Sequence, residues 1–301
     1  MASSIRACVA ESPSRGEQGA SRSGWLVPLH VWVSAVFLLV VVCAAVFAPV
    51  VSPYDPIKQS LRERLKAPTW FPEVGRQRHL LGTDQLGRDI LSRVIYGSRV
   101  SLIVGFAAVL IGGVLGGFLG LLSGYAGGIV DEVIMLVVDG QLAFPFILLA
   151  IGIIAVLGPS FGNLIIIVGL SGWVTYARIV RAQVLTIKER EYVLAIRGLG
   201  GSRWRILGRH IVPNTLAPFL VVATLELART ILLESSLSFL GLGIQPPTPS
   251  WGGMLSEGRS YLDSAWWISA FPGMILMLTA LVVSRVGDWL RDVLDPTLRG
   301  A

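Results

Sequence analysis

From residue 29 onward, long apolar stretches alternate with shorter polar ones. Residues 29–51, 100–122 and 264–284 contain no Asp, Glu, Lys or Arg. A helix of ~20 residues rising ~1.5 Å per residue crosses the ~30 Å hydrocarbon core of a bilayer, and each run is long enough to do so. A membrane β-barrel would instead show segments of about ten residues that alternate apolar with polar, and these do not alternate. Three further spans are interrupted by charge or proline. Residues 133–157 are broken by Asp139 and Pro145, residues 164–180 end at Arg178 and Arg181, and residues 215–239 carry Glu226, Arg229 and Glu234. The pattern predicts an all-α, polytopic membrane protein of about six transmembrane helices.

The polar stretches divide the chain. Residues 1–24, rich in Ser, Gly and Arg, read as a disordered cytoplasmic tail. Residues 25–99 hold the first span and then, from residue 52, an external segment whose prolines at 53, 56, 68 and 72 mark turns and extended backbone. Residues 100–286 form a five-helix core with a cytoplasmic loop at 188–210, and residues 287–301 a polar cytoplasmic tail. The run at 29–51 is longer than the apolar part of a signal peptide and starts late, which favours a retained anchor. Within the second span Gly112, Gly116, Gly120 and Gly124 recur every fourth residue, beside Gly113 and Gly117. Such a face lets two helices approach closely in lipid, here expected within one subunit.

Composition agrees: 53% of residues are hydrophobic and 15% charged, where soluble domains carry about a quarter charged. The net charge of +6 fits cytoplasmic loops facing anionic lipid, and no soluble basic face for nucleic acid is visible. Residues 178–209 hold eight basic residues against two acidic. That loop is therefore expected inside, and with six spans both termini follow it. The external segment 52–99 runs against this with nine basic residues to five acidic, although charge in long loops predicts orientation less well. Cys8 and Cys43 fall in different environments and imply no disulfide framework.

Catalytic chemistry is missing. A P-loop needs a lysine after glycine to reach the β and γ phosphates, and none of Lys58, Lys66 or Lys188 follows one. His30, His79 and His210 are scattered and form no metal-binding spacing. No Gly-x-Ser-x-Gly elbow is present. No catalytic residue and no metal site is assigned. A channel filter and an internal repeat, the marks of a channel or secondary transporter, are not evident either. The charged residues within spans stand out instead. Glu226, Thr230 and Glu234 share one helical face and Arg229 lies three from Glu226. Because ionised groups in lipid are costly, this face must look inward. Glu226 and Arg229 read either as a structural pair or, with Glu234 and Asp139, as lining of a transport path.

The most informative polar segment is residues 190–214, REYVLAIRGLGGSRWRILGRHIVPN. Residues 191–197 suit a short helix on which Val193, Ile196 and Leu199 share an apolar face. Gly198, Gly200 and Gly201 end it, residues 203–210 form a second short helix, and Pro213 starts the next span. Such a helix could dock into a groove on another protein or lie on lipid headgroups. The segment resembles the EAA loop of ABC importer permeases: Leu194-Ala195-Ile196 stands where Glu-Ala-Ala recurs, Gly200 on the family glycine, and Val212-Pro213 on the closing pair. Leu194 and Ile196 depart from the pattern, which leaves Glu191 as the available acid. Residues 79–102 (HLLGTDQLGRDILSRVIYGSRVSL), 235–253 (SSLSFLGLGIQPPTPSWGG) and 287–299 (GDWLRDVLDPTLR) resemble the C-type permeases of dipeptide, oligopeptide and nickel importers. Trp251 in the second of these suits a water–lipid interface.

The resemblance implies a type I ABC importer permease in a bacterial inner membrane. Its cargo would be di- or oligopeptides, with nickel or another small solute as the alternative. It implies a heterodimer with a second permease, ATP-binding subunits that hold the ATP and Mg2+, and an external substrate-binding protein. Glu191, Leu194, Ala195, Arg197, Gly200 and Pro213 would then form the ATPase-coupling loop.

Overall fold

The computed structural model describes residues 28–70 and 79–294. The expected tail 1–24 and residues 295–301 lie outside the described residues. Helix α1 (Leu29–Val46) continues after a break at Phe47 into the short α2 (Ala48–Val51). The other helices are α3 (Ile90–Ala126), α4 (Gly128–Ala143), α5 (Phe146–Leu157), α6 (Phe161–Lys188), α7 (Glu191–Gly198), α8 (Arg203–Ile206), α9 (Val212–Phe239), α10 (Trp251–Gly258) and α11 (Trp267–Leu294). Five helices are long and apolar enough to cross a membrane, and the number is six if α4 and α5, bent by 89°, are counted together as one broken span. The bend follows from Pro145, which has no N–H to give a helix and drives Phe144 to extended backbone (φ −106°, ψ 137°).

Several spans extend beyond their apolar runs. Helix α3 begins at Ile90, not near residue 100, because the Asp89 carboxylate caps it, accepting from the Ser92 N–H at 2.8 Å and the Ser92 hydroxyl at 2.6 Å. Helix α6 continues past Val180 to Lys188, and α11 runs to Leu294, so the polar segment expected from Gly287 starts as helix. The largest difference lies at residues 203–239. Instead of a short helix and a fresh start at Pro213, α8 and α9 form one unbroken helix, Arg203–Phe239. A π turn at Leu207–Ile211 shifts the hydrogen-bond register just before Pro213, the residue that has no N–H to donate.

The glycine face of α3 packs against α6. A Cβ on Gly112 would lie 2.8 Å from the Gly169 carbonyl oxygen, and one on Gly120 2.5 Å from that of Ala177. Backbone approach that close excludes any larger residue. Around this contact, α9 and α11 complete a core that includes Leu102, Leu227, Ile231, Leu276 and Val283, with Val41 and Ala45 of α1 against it.

Outside the spans, the segment between α2 and α3, expected to be external, folds back on the start of α3 and on α11, where the Trp267 indole donates to the Thr83 carbonyl at 3.1 Å. Trp251 does not sit at a lipid interface. It is fully buried, donates to the Val94 carbonyl at 3.1 Å and packs on Gly97. The small residue on α3 gives the indole a slot that hydropathy alone cannot reveal.

Candidate functional site

The loop between α6 and α9 is built as a presented helix. Glu191 begins α7, where a carboxylate favours the positive helix end. At the other end the Gly200 N–H reaches the Arg197 carbonyl (3.1 Å) and the Gly201 N–H the Ile196 carbonyl (2.9 Å), a Schellman closure. Gly200 has φ +80°, a conformation in which a side chain is strained. Ser202 then caps α8 through the Arg205 N–H at 3.3 Å. Val193 is buried and Ile196 half-buried, in a cluster with Val180, Val184 and Ile187 of α6 and Ile206 and Ile211 of the following helix. The opposite face is open: Glu191, Leu194, Ala195, Arg197 and Gly200 are exposed, as is Pro213 on the helix that follows. Leu199 departs from the expected apolar face. It points outward, 89% exposed, together with Trp204 at 83%. These loop residues are thus all exposed, around a helix anchored from behind.

The charged residues of the spans separate into distinct environments. Glu234 is fully buried and accepts hydrogen bonds from Ser101 (3.0 Å), Ser238 (2.8 Å) and Ser235 (3.3 Å). Three hydroxyls on two helices make it a polar bolt between α3 and α9. Glu226 is also buried and accepts from Arg229 at 3.0 and 3.3 Å, while Arg229 extends to the surface. Asp139 is not inside the bundle: it forms an exposed pair with Arg178 at 2.5 Å. Four residues of the expected path are therefore not brought to one point.

Two ion-pair systems went unnoticed in the sequence. Arg181 grips Asp131 with two hydrogen bonds, 2.5 and 2.6 Å, and the Ser123 hydroxyl donates to the same carboxylate. Lys188 reaches the Gly124 carbonyl at 3.1 Å, so the ends of α3, α4 and α6 are tied together. At the other end of α3 Asp84, Arg88, Arg93 and Glu257 form a largely buried network, with Arg88 2.5 Å from Asp84 and 2.7 Å from Glu257. Beside it His79 bridges Asp89 (2.9 Å) and Glu63 (3.3 Å). The Asp84/Arg88 spacing was the only signal available, because Glu257 joins from far along the chain. Arg93 and Glu257 also line a cavity of about 100 Å³ with Ser238, Gln245 and Ser256.

This arrangement of broken span, presented helix and long paired helices is that of an importer permease. A solved chain from an amino acid ABC transporter crystallised with histidines superimposes with a TM-score of 0.54 at 17% identity, covering 67% of this chain and 94% of that one. Residues 116–300 match the family described as binding-protein-dependent transport system inner membrane component. Residues 31–68 match the N-terminal transmembrane domain of oligopeptide transport permease C. The chain belongs to the binding-protein-dependent inner membrane component family, and is a transport subunit rather than an enzyme. It is 44% identical to the di/tripeptide transport system permease protein DppC of Pseudomonas aeruginosa, over 88% of this chain and 87% of that one. It is 45% identical to the dipeptide transport system permease protein DppC of Escherichia coli, over 89% of each chain.

Proposed function

We propose that this chain is one of the two permease subunits of an ATP-driven importer of di- or oligopeptides. The observation that carries the reading is α7: a short helix fixed to α6 and α9 by Val193 and Ile196, with Glu191, Leu194, Ala195 and Arg197 turned outward. A helix held that way can pass a push from a soluble partner into the membrane. Its continuation, Arg203–Phe239, has no break between the loop and Glu226, so displacement at the cytoplasmic end reaches the membrane interior. The partner ATPase binds the ATP and Mg2+ and does the hydrolysis; this subunit converts its closure into alternating access.

Peptide as cargo rests on the names of the relatives, which are di- and tripeptide permeases. The second permease, the ATPases and an external binding protein complete the assembly in the bacterial plasma membrane. Both termini lie in the cytoplasm, on the side of the basic loop.

Purification of the tagged subunit in mild detergent tests this. A second polytopic permease and a P-loop ATPase are expected to co-purify with it. Gly200→Val, which places a β-branched residue at φ +80°, is expected to release the ATPase while leaving the permease pair together. A monodisperse subunit with no ATPase would overturn the reading, and ATPase retention unaffected by Gly200→Val and Glu191→Arg together would overturn the docking role of α7.

A further inference from the structure

Helices α4 and α6 are joined by two Asp–Arg pairs that differ in completeness. In the first, Asp131 is held by two hydrogen bonds from Arg181 and one from Ser123. In the second, Arg178 gives Asp139 a single hydrogen bond at 2.5 Å, and the side chains are 50% and 64% exposed. Among the described residues, neither the other Asp139 oxygen nor the remaining Arg178 N–H groups have a protein partner. Asp139 stands twelfth in α4, about 16 Å along the helix from Gly128 at ~1.5 Å per residue. Exposed Leu136, Val137 and Leu142 flank it on α4, and beside such apolar residues an ion pair open to lipid is costly. The pair therefore faces the second permease, water or a polar cargo rather than lipid.

We propose that Asp139 and Arg178 form a cargo-handling pair for zwitterionic peptides: the Asp139 carboxylate takes the terminal ammonium and the Arg178 guanidinium the terminal carboxylate as the peptide passes. The inference rests on the peptide-importer reading above. In the empty path the two charges neutralise each other, so the site presents no net charge to attract small ions. A dipeptide extends over at most about 7 Å, and neighbouring helix axes lie ~8–10 Å apart. Swinging the two side chains apart therefore matches the spacing of the peptide's own charges. The exchange trades one ion pair for two, and both ends of the cargo stay compensated where bare charges would cost several kcal/mol each. Arg178 suits the task because its planar fork binds a carboxylate through two parallel N–H groups. The Asp131–Arg181 pair, with both Asp131 oxygens bonded, keeps the helices together while the outer pair opens.

The complete complex in proteoliposomes provides the test. The double variant Asp139→Asn, Arg178→Gln replaces the ion pair by two amides that can still hydrogen-bond across the helices. Assembly and binding-protein-stimulated ATP hydrolysis are expected to stay within about twofold of wild type, as for exposed neutral replacements. Uptake of radiolabelled alanyl-alanine is expected to fall about tenfold or more, the effect of removing the charged partner of a charged terminus. Unchanged uptake would overturn the proposal, and so would uptake and ATP hydrolysis falling in step, which would make the pair a structural staple. If the wild-type complex hydrolyses ATP in response to another solute and takes up no dipeptide, the peptide reading itself fails and the inference with it.

Discussion

Glu63 sits outside the spans, where its carboxylate accepts a hydrogen bond from His79 at 3.3 Å and faces Lys66 at 3.4 Å. The His79 bond, working against partial burial and helped by Lys66, holds the Glu63 carboxyl below its ordinary value of 4.5. A carboxylate with a lowered folded pKa adds stability that is complete above its unfolded value and disappears as pH falls through the folded one. The external segment should therefore loosen as pH drops below about 4.5. Hydrogen exchange across residues 60–70, followed from neutral pH downward, should show protection lost in wild type. In Glu63→Gln the same segment should already be weaker at neutral pH and respond less to acid. An identical acid response in both proteins would show that Glu63 does not govern this segment. None of this was visible in the chain order, because Glu63, His79 and Asp89 meet only when the segment folds onto α3.

Elements were legible to different degrees, and the reasons are physical. The spans came directly from apolar runs, and the small-residue face of α3 from its four-residue repeat. What that repeat could not name was its partner, α6, whose backbone lies against it. The consequence is testable. A side chain at Gly120 meets the Ala177 carbonyl at 2.5 Å and the Val180 Cβ at 3.0 Å, so Gly120→Leu must push two helices apart. Overpacking of this kind costs typically ~1–3 kcal/mol, and the midpoint of thermal unfolding in detergent should drop by several degrees or the subunit should fail to accumulate. Gly162→Leu, on α6 with nothing within 4 Å, is the matched control and should be nearly silent. Equal losses in both would mean that the α3–α6 contact is softer than its backbone spacing indicates. The helix from Arg203 escaped the sequence for the opposite reason: Gly208 and Pro213 are the residues that normally end helices, and only the π turn reconciles them with continuity. In the same way α7 was legible from its glycine stop, whereas the outward turn of Leu199 depended on Val193 and Ile196 filling the pocket behind.

At the scale of the whole molecule, the α7 surface and the buried acids of α9 are linked by one piece of secondary structure. Arg203–Phe239 contains 37 residues, about 55 Å at ~1.5 Å per residue. It receives α7 at its N-terminal end through Ile206 and Ile211 and carries Glu226 and Glu234 further along. If this helix transmits the stroke, its stiffness matters separately from its side chains. Replacing Arg209 and His210 with glycine, next to the existing Gly208, creates a flexible stretch between the docking surface and the membrane, each glycine weakening the helix by about 1 kcal/mol. The alanine pair at the same positions removes the same side chains and keeps the helix stiff. Both variants should hold the ATPase, because α7 is untouched. Only the glycine variant should hydrolyse ATP with little peptide uptake, so the amount moved per ATP should fall severalfold, while the alanine variant should stay close to wild type. Equal coupling in the two would place the transmission in α6, whose end is tied to α3 and α4 through Lys188 and Arg181. Loss in both would assign the effect to the side chains, the ring contact of His210 with Tyr192 among them. The two variants differ in backbone freedom alone, which makes the comparison a direct measure of whether the long helix works as a lever.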